Sequence, residues 1–313
     1  MSKIKDSIIS LAIGDAMGVP VEFCQREKLL RKPVTKMLGY GSHEVCAGSW
    51  SDDTTMTICE LVSFNQNKKF DYDDIMHNYL KWILQGDFTP TGKLFDIGRT
   101  CLTAIRRYET KETTATASGL TSINSNGNGS LMRILPVALY SYYKNLSEQE
   151  IINLTNDMSS LTHAHDISKL GCYIYVRYIM FLLADFTKEE SYIKIKKLDY
   201  SSYNQSSLNL YKRILEDDIT TYKLDSIKST GYIVDTLEAS LWVILKAKTY
   251  KESIIGAINL GEDTDTIGAI VGSMAGIIYG YDAIPKDWLE TLQKRKYLEE
   301  ICHDFEKEIV GDK

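Results

Sequence analysis

The chain has 313 residues, 44% hydrophobic and 25% charged, an ordinary globular balance with apolar material for a sizeable core. Thirty-six basic against forty-two acidic side chains leave a net charge of −6, which repels a phosphate backbone, so no nucleic-acid partner is expected. The cysteines, at 24, 46, 59, 101, 172 and 302, form no C-x-x-C pair, which argues against a zinc ribbon or thioredoxin motif and for reduced, mostly buried thiols in a cytoplasmic protein.

In chain order, "MSKIKDSIISLAIGDAMG" holds only a short apolar stretch broken by Asp15, and no signal peptide is expected. The segment "GDAMGVPVEF" ends near Glu22, which reads equally as an exposed glutamate at a helix end. A turn-rich stretch covers 38–49. In "GSWSDDTTMT", Ser51 fits the N-cap of a helix with Asp52 and Asp53 in its first turn. Tyr72, Ile75, Met76, Tyr79, Leu80 and Ile83 share one helical face. Asp96 follows in "FDIGRT", where a cap is the plain alternative.

The second turn-rich stretch, 119–130, contains "NSNGNGS". Gly127 and Gly129 allow close backbone approach to an oxyanion, and a helix is predicted to start near Ser130 with its positive end towards it. Arg133 stands among apolar residues and is expected to pair internally with a carboxylate. In "LTHAHD", His163 is a candidate donor and His165 is given no role. Residues 186–229 read as polar helical excursions on the surface. Tyr232 precedes the apolar face Ile233, Val234, Leu237, Leu241, Ile244 and Leu245.

The last strong pattern is "GEDTDTIGAIVG", with Asp263 or Asp265 as cap of a helix beginning near Ile267. Its apolar run to Tyr281 is too short for a membrane span. Gly268, Gly272, Gly276 and Gly280 recur every four residues and predict another backbone packed very close. Helical periodicity throughout and little two-residue alternation predict an all-α, compact multi-helix bundle, one domain over 1–313.

Two Asp/Thr clusters thus stand about two hundred residues apart. Asp52, Asp53, Asp263 and Asp265 are hard oxygen ligands, and Ser51, Thr54 and Thr266 add hydroxyls. Two carboxylates about 4 Å apart repel by roughly 4 kcal/mol at an effective dielectric of 20, so one neutralises or a cation binds. Such ligands suit Mg²⁺ or Mn²⁺. Each cluster alone is also a plain helix cap, and periodicity does not bring the two together.

Seven stretches, "GDAMGVPVEF" (14–23), "GSWSDDTTMT" (48–57), "FDIGRT" (95–100), "GNGSLMRILPVAL" (127–139), "TH" (162–163), "GYIVDTLEASLW" (231–242) and "NLGEDTDTIGAIVG" (259–272), resemble the ADP-ribosylglycohydrolase family in kind and in order. The resemblance implies an all-α bundle with a central cleft for two divalent cations. It assigns Ser51, Asp52 and Asp53 to one half of the metal site and Asp263, Asp265 and Thr266 to the other. Ser51 stands where many relatives have threonine, and both offer a hydroxyl.

By the same resemblance, Asn128, Gly129, Ser130, His163 and Tyr232 hold ADP-ribose, while Met132 and Arg133 support them. Asp15 is a structural hydrogen-bond partner. Glu22, Asp53 and Asp96 carry the catalytic expectation: Glu22 or Asp53 takes a proton from water and Asp96 serves the leaving group. The substrate would be an ADP-ribosylated protein, with arginine ahead of serine or O-acetyl-ADP-ribose. The alternatives are a non-catalytic ADP-ribose-binding protein on the same fold and a metal-dependent phosphohydrolase. A monomer without membrane attachment is expected.

Overall fold

The computed structural model describes residues 3–311. The first half carries α1 (Ile4–Gly18), α2 (Arg26–Arg31), α3 (Asp52–Asn67), α4 (Tyr72–Gln85), α5 (Arg99–Glu109), α6 (Leu135–Tyr143) and α7 (Glu148–Ser160). The second carries α8 (Asp166–Leu183), α9 (Lys188–Ile195), α10 (Gln205–Leu210), α11 (Lys212–Leu215), α12 (Ile233–Lys246), α13 (Tyr250–Ile258), α14 (Thr264–Tyr279), α15 (Lys286–Thr291) and α16 (Arg295–Val310). Among the described residues the only β-pairing is two isolated bridges, Leu120 with His163 and Gly127 with Tyr232. The all-α expectation is met. None of the described helices is long and apolar enough to cross a membrane.

The N-terminal segment forms the centre of the bundle. Helices α1 and α14 are buried almost all round, as sequences without a polar face must be. They run antiparallel: Gly18 lies on Asp265, Gly14 on Gly268, Ser10 on Gly272 and Asp6 on Gly276. A Cβ on Gly14 would stand 1.9 Å from the Gly268 carbonyl oxygen, and one on Gly272 would stand 2.1 Å from that of Ser10. Three glycines of the stripe therefore do what their spacing predicts. Gly280 instead ends α14 at φ +79°, the left-handed region glycine enters without cost. The close approach sets the C-terminal end of α1 beside the N-terminal end of α14.

Helix α3 joins them through its own N-terminus. Its far end is anchored where Phe64 meets Phe70, Tyr140 and Phe305 at centroid distances of 5.1, 5.3 and 5.0 Å. Aromatic packing of this kind fixes both position and orientation.

The 186–229 segment departs from the surface reading. Tyr192, Ile195, Tyr203, Tyr211, Ile214 and Ile219 are buried in the core. Tyrosine makes the stretch look polar, yet it buries its ring and satisfies its hydroxyl locally. Tyr211 Oη donates to the Ile167 carbonyl at 2.8 Å, and Tyr192 Oη reaches those of Ile214 and Asp217, both at 2.9 Å.

Candidate active site

Three helix ends converge. Asp15, near the end of α1, is fully buried. Its Oδ1 accepts from the Ser51 amide at 2.9 Å; its Oδ2 accepts from the Thr54 amide at 3.0 Å and hydroxyl at 2.6 Å. Asp15 thus pins the start of α3. Ser51 is its N-cap, with Oγ accepting from the Asp53 amide at 3.4 Å. Asp263 occupies the N-cap position of α14, which starts at Thr264, so Asp265 and Thr266 lie in its first turn. Helix α14 begins three residues earlier than the apolar run suggested, because its polar first turn faces the cleft. The N-termini of α3 and α14 bring two positive dipole ends to the acids.

The two clusters meet. Thr266 Oγ1 lies 3.5 Å from Asp53 Oδ2, and Ser51 Oγ donates to the same oxygen at 3.0 Å. Ligand atoms of Asp15, Asp53 and Asp265 lie within 4.8 Å of one another, as do those of Glu22, Asp263 and Asp265. At an effective dielectric of 20, each ionised pair at 4.8 Å repels by about 3.5 kcal/mol. Burial pushes Asp15 up to about 6. Burial and then neighbouring carboxylates push Asp52, Asp53 and Asp265 well above the usual range. Asp53 Oδ1 is buried without a hydrogen-bond partner. An orphaned, buried carboxylate oxygen among crowded acids fits hard divalent cations.

Glu22 follows a short 3₁₀ turn, Val19–Val21, and turns inward at 6% exposure. Its carboxylate bonds His43 Nε2. Ligand atoms of Glu22, His43 and Asp96 lie within 4.8 Å of one another. Burial, then Asp96 and Asp263, push Glu22 up to about 7 against the pull of the His43 bond. Asp96, partly buried and at φ +52°, is also raised, mainly by burial.

A cleft of about 390 Å³ opens over these acids, lined further by Phe23, Asn128, Gly129, Met132 and His163. Asn128 donates from Nδ2 to Asp263 Oδ2 at 2.7 Å and to Thr236 Oγ1 at 2.9 Å, which fixes that aspartate. At Gly129 an added Cβ would meet Cys101 Sγ at 2.6 Å. Arg133 is fully buried and pairs with Glu60 at 2.5 Å, the internal partner its surroundings called for. It also donates to Thr162 Oγ1 at 2.9 Å, which stands 2.8 Å from His163 Nδ1. A guanidinium only donates, so the Thr162 proton is free for Nδ1 and Nε2–H faces the cleft. Burial and then Arg133 push His163 down to about 3, so the ring is neutral at physiological pH.

Two ligand expectations change. Helix α6 begins at Leu135, not near Ser130, because Pro136 fits only a first helical turn. No helix dipole therefore points from Ser130. Its fully buried hydroxyl accepts from the Cys172 thiol at 3.4 Å, and Ser130 does not line the cleft. Tyr232 lines an adjoining groove with Ile123, Leu210 and Gly231 rather than the cleft over the acids. Three residues were not singled out in the sequence: His43, Phe23 and Arg99. Arg99, exposed at the start of α5, is a cationic residue lining the cleft. Arg99 sits inside the matched "FDIGRT" stretch, while His43 lies in a turn that nothing in the pattern ties to Glu22.

The sequence profile of the ADP-ribosylglycohydrolase family matches residues 1–313. The chain is 29% identical over 308 residues to "ADP-ribosylarginine hydrolase Tri1" of Serratia proteamaculans, covering 97% of this chain and 79% of that protein. It is 28% identical over 291 residues to "ADP-ribosyl-[dinitrogen reductase] glycohydrolase" of Rhodospirillum rubrum, covering 92% and 90%. A solved structure titled "ADP-ribosylglycohydrolase-related protein complex" superposes with a TM-score of 0.82 at 25% identity, covering 99% of this chain and 98% of that one. The chain belongs to the ADP-ribosylglycohydrolase family and is a hydrolase of that class.

Proposed function

We propose that the chain hydrolyses the glycosidic bond joining ADP-ribose to an acceptor side chain, arginine by preference, and needs two divalent cations, Mg²⁺ or Mn²⁺. The observation that carries this reading is the meeting of both Asp/Thr clusters at the Asp53 carboxylate, whose Oδ1 is orphaned, with Glu22 and Asp96 at the same cleft. Two relatives whose names specify ADP-ribosylarginine hydrolysis favour the arginine linkage. Six free thiols, four of them buried, support a cytoplasmic location. One continuous core within a single chain supports a monomer.

Ser51, Asp52, Asp53, Asp263, Asp265 and Thr266 would hold the cations, which supply Lewis acidity towards water and the ribose hydroxyls. The protein's own groups do the rest. The neutral His163 Nε2–H and the Gly127–Gly129 turn grip the pyrophosphate. Glu22 takes the proton of the attacking water as the water oxygen bonds C1″. Carboxylates round the ring stabilise the positive charge that grows on C1″ and the ring oxygen. Asp96, raised by burial, gives its proton to the departing guanidine nitrogen as the C1″–N bond breaks. The products are ADP-ribose and unmodified arginine.

The test is incubation of ADP-ribosyl-arginine and ADP-ribosyl-serine peptides with Mg²⁺, Mn²⁺ or EDTA, with products read by mass spectrometry. Intact ADP-ribose from the arginine peptide, lost in EDTA, is the expected outcome. Release of AMP would mark a pyrophosphate hydrolase, and tight ADP-ribose binding without turnover would mark a binding protein. Asp96→Asn should cut kcat on the arginine peptide by about 10²–10⁴; unchanged turnover removes Asp96 from the mechanism.

A further inference from the structure

The cleft has two chemically distinct ends. Gly127, Gly129 and the uncharged His163 tolerate a pyrophosphate. The Glu22, His43 and Asp96 end carries two acidic groups and no such backbone turn. An ADP-ribosyl conjugate therefore directs its acceptor, not its phosphates, to the acid end.

That end has an aromatic lip. Phe23 lines the cleft at 71% exposure, although Val21 and Glu22 beside it are buried. An exposed phenylalanine gains nothing from burial, and its backbone stands at φ +63°, a conformation that costs on the order of 1–2 kcal/mol for a side chain of this kind. The strained turn is held by the Phe23 amide donating to the Glu262 carbonyl at 2.7 Å and the Glu262 amide donating to that of Cys24 at 2.8 Å. Glu262, itself at φ +61°, directly precedes Asp263. The Phe23 ring is 6.0 Å from the His43 ring, which is 5.5 Å from Phe95. The result is an aromatic row with the Glu22 and Asp96 carboxylates beside it.

We infer that Phe23 is a specificity residue whose exposed ring stacks on the guanidinium of the acceptor arginine beside Asp96. This rests on the arginine reading above and adds the group that recognises the acceptor. A planar, weakly hydrated cation on a hydrocarbon stem matches a π-face beside a carboxylate. A serine linkage offers neither charge nor plane, and an ammonium is too strongly hydrated to profit equally.

The experiment is steady-state kinetics of wild type, Phe23→Ala, Phe23→Leu and Phe23→Trp on ADP-ribosyl-arginine and ADP-ribosyl-serine peptides, with ADP-ribose as product inhibitor. Because the side chain is exposed, the variants keep the core, which melting curves check. Phe23→Ala and Phe23→Leu should both lose about five- to thirty-fold in kcat/KM on the arginine peptide, chiefly through KM. Phe23→Trp should retain it. Inhibition by ADP-ribose and any serine-peptide turnover should stay within about twofold of wild type. An active wild type with unaffected Phe23→Leu overturns the stacking. Equal loss of ADP-ribose inhibition would put Phe23 at the ADP-ribose end instead. A wild type inert towards the arginine peptide refutes the arginine reading, a separate result.

Discussion

Divalent cations should offset the loss of folding stability at high pH. In their absence the acid cluster is relieved by protons: Asp15 is raised from 3.8 to about 6 and Glu22 from 4.5 to about 7, chiefly by burial. A carboxyl whose folded pKa is raised contributes stability below its unfolded value, and that contribution is lost as pH rises through the folded value. Between pH 5 and 8 these two groups together lose about 4 kcal/mol. His163, pushed down to about 3, acts in the opposite sense below its ordinary value of 6.5 and offsets about 2 kcal/mol at pH 5. Asp52, Asp53 and Asp265 are raised further and add to the loss at high pH. In EDTA the protein should therefore be less stable at pH 8 than at pH 5 by at least about 2 kcal/mol. A cation at one hundred times its Kd adds back about 2.7 kcal/mol per site at pH 8, and far less at pH 5, where protons compete. Guanidinium unfolding at both pH values, with EDTA, Mg²⁺ or Mn²⁺, reads this directly. Asp53→Asn should raise the pH 8 stability in EDTA and abolish the cation response. A protein that is more stable at pH 8 in EDTA and indifferent to both cations would refute the reasoning.

Two substitutions test how the scaffold holds the site. Gly14→Ala puts a methyl 1.9 Å from the Gly268 carbonyl oxygen; overpacking of this kind costs about 1–3 kcal/mol or more. The clash displaces the start of α14, so cation affinity should fall along with the unfolding midpoint. Arg133→Met leaves the buried Glu60 carboxylate unpaired, and unfolding should show a loss of about 3–5 kcal/mol. The same change frees Thr162, so calorimetric ADP-ribose affinity should drop through His163 even at temperatures where the variant is folded.

Local sequence carried the helix caps and the apolar faces, since each depends on neighbours three or four residues away. Ser51 as N-cap and the close approach at Gly268, Gly272 and Gly276 were legible for that reason. The internal carboxylate partner of Arg133 was legible too, because a charge among apolar residues must be paired. The start of α6 is not legible locally, because a Gly-rich turn favours a helix N-terminus near Ser130 while Pro136 sets it five residues on. The burial within 186–229 is not legible either, because composition does not say which face of a tyrosine-rich segment meets the core.

The chemistry of the ligands was thus written in the chain: hard oxygens twice, each at a helix start. Their meeting was not. It depends on α1 lying antiparallel on α14 so closely that Gly18 touches Asp265, and on Asp15 tying the same helix to Ser51 and Thr54. Likewise Glu22 reads as an end-of-helix acid until His43, Phe95 and Asp96 from other segments close round it. A sequence states which side chains can bind a cation or move a proton; only long-range packing brings those separated by two hundred residues within 4.8 Å.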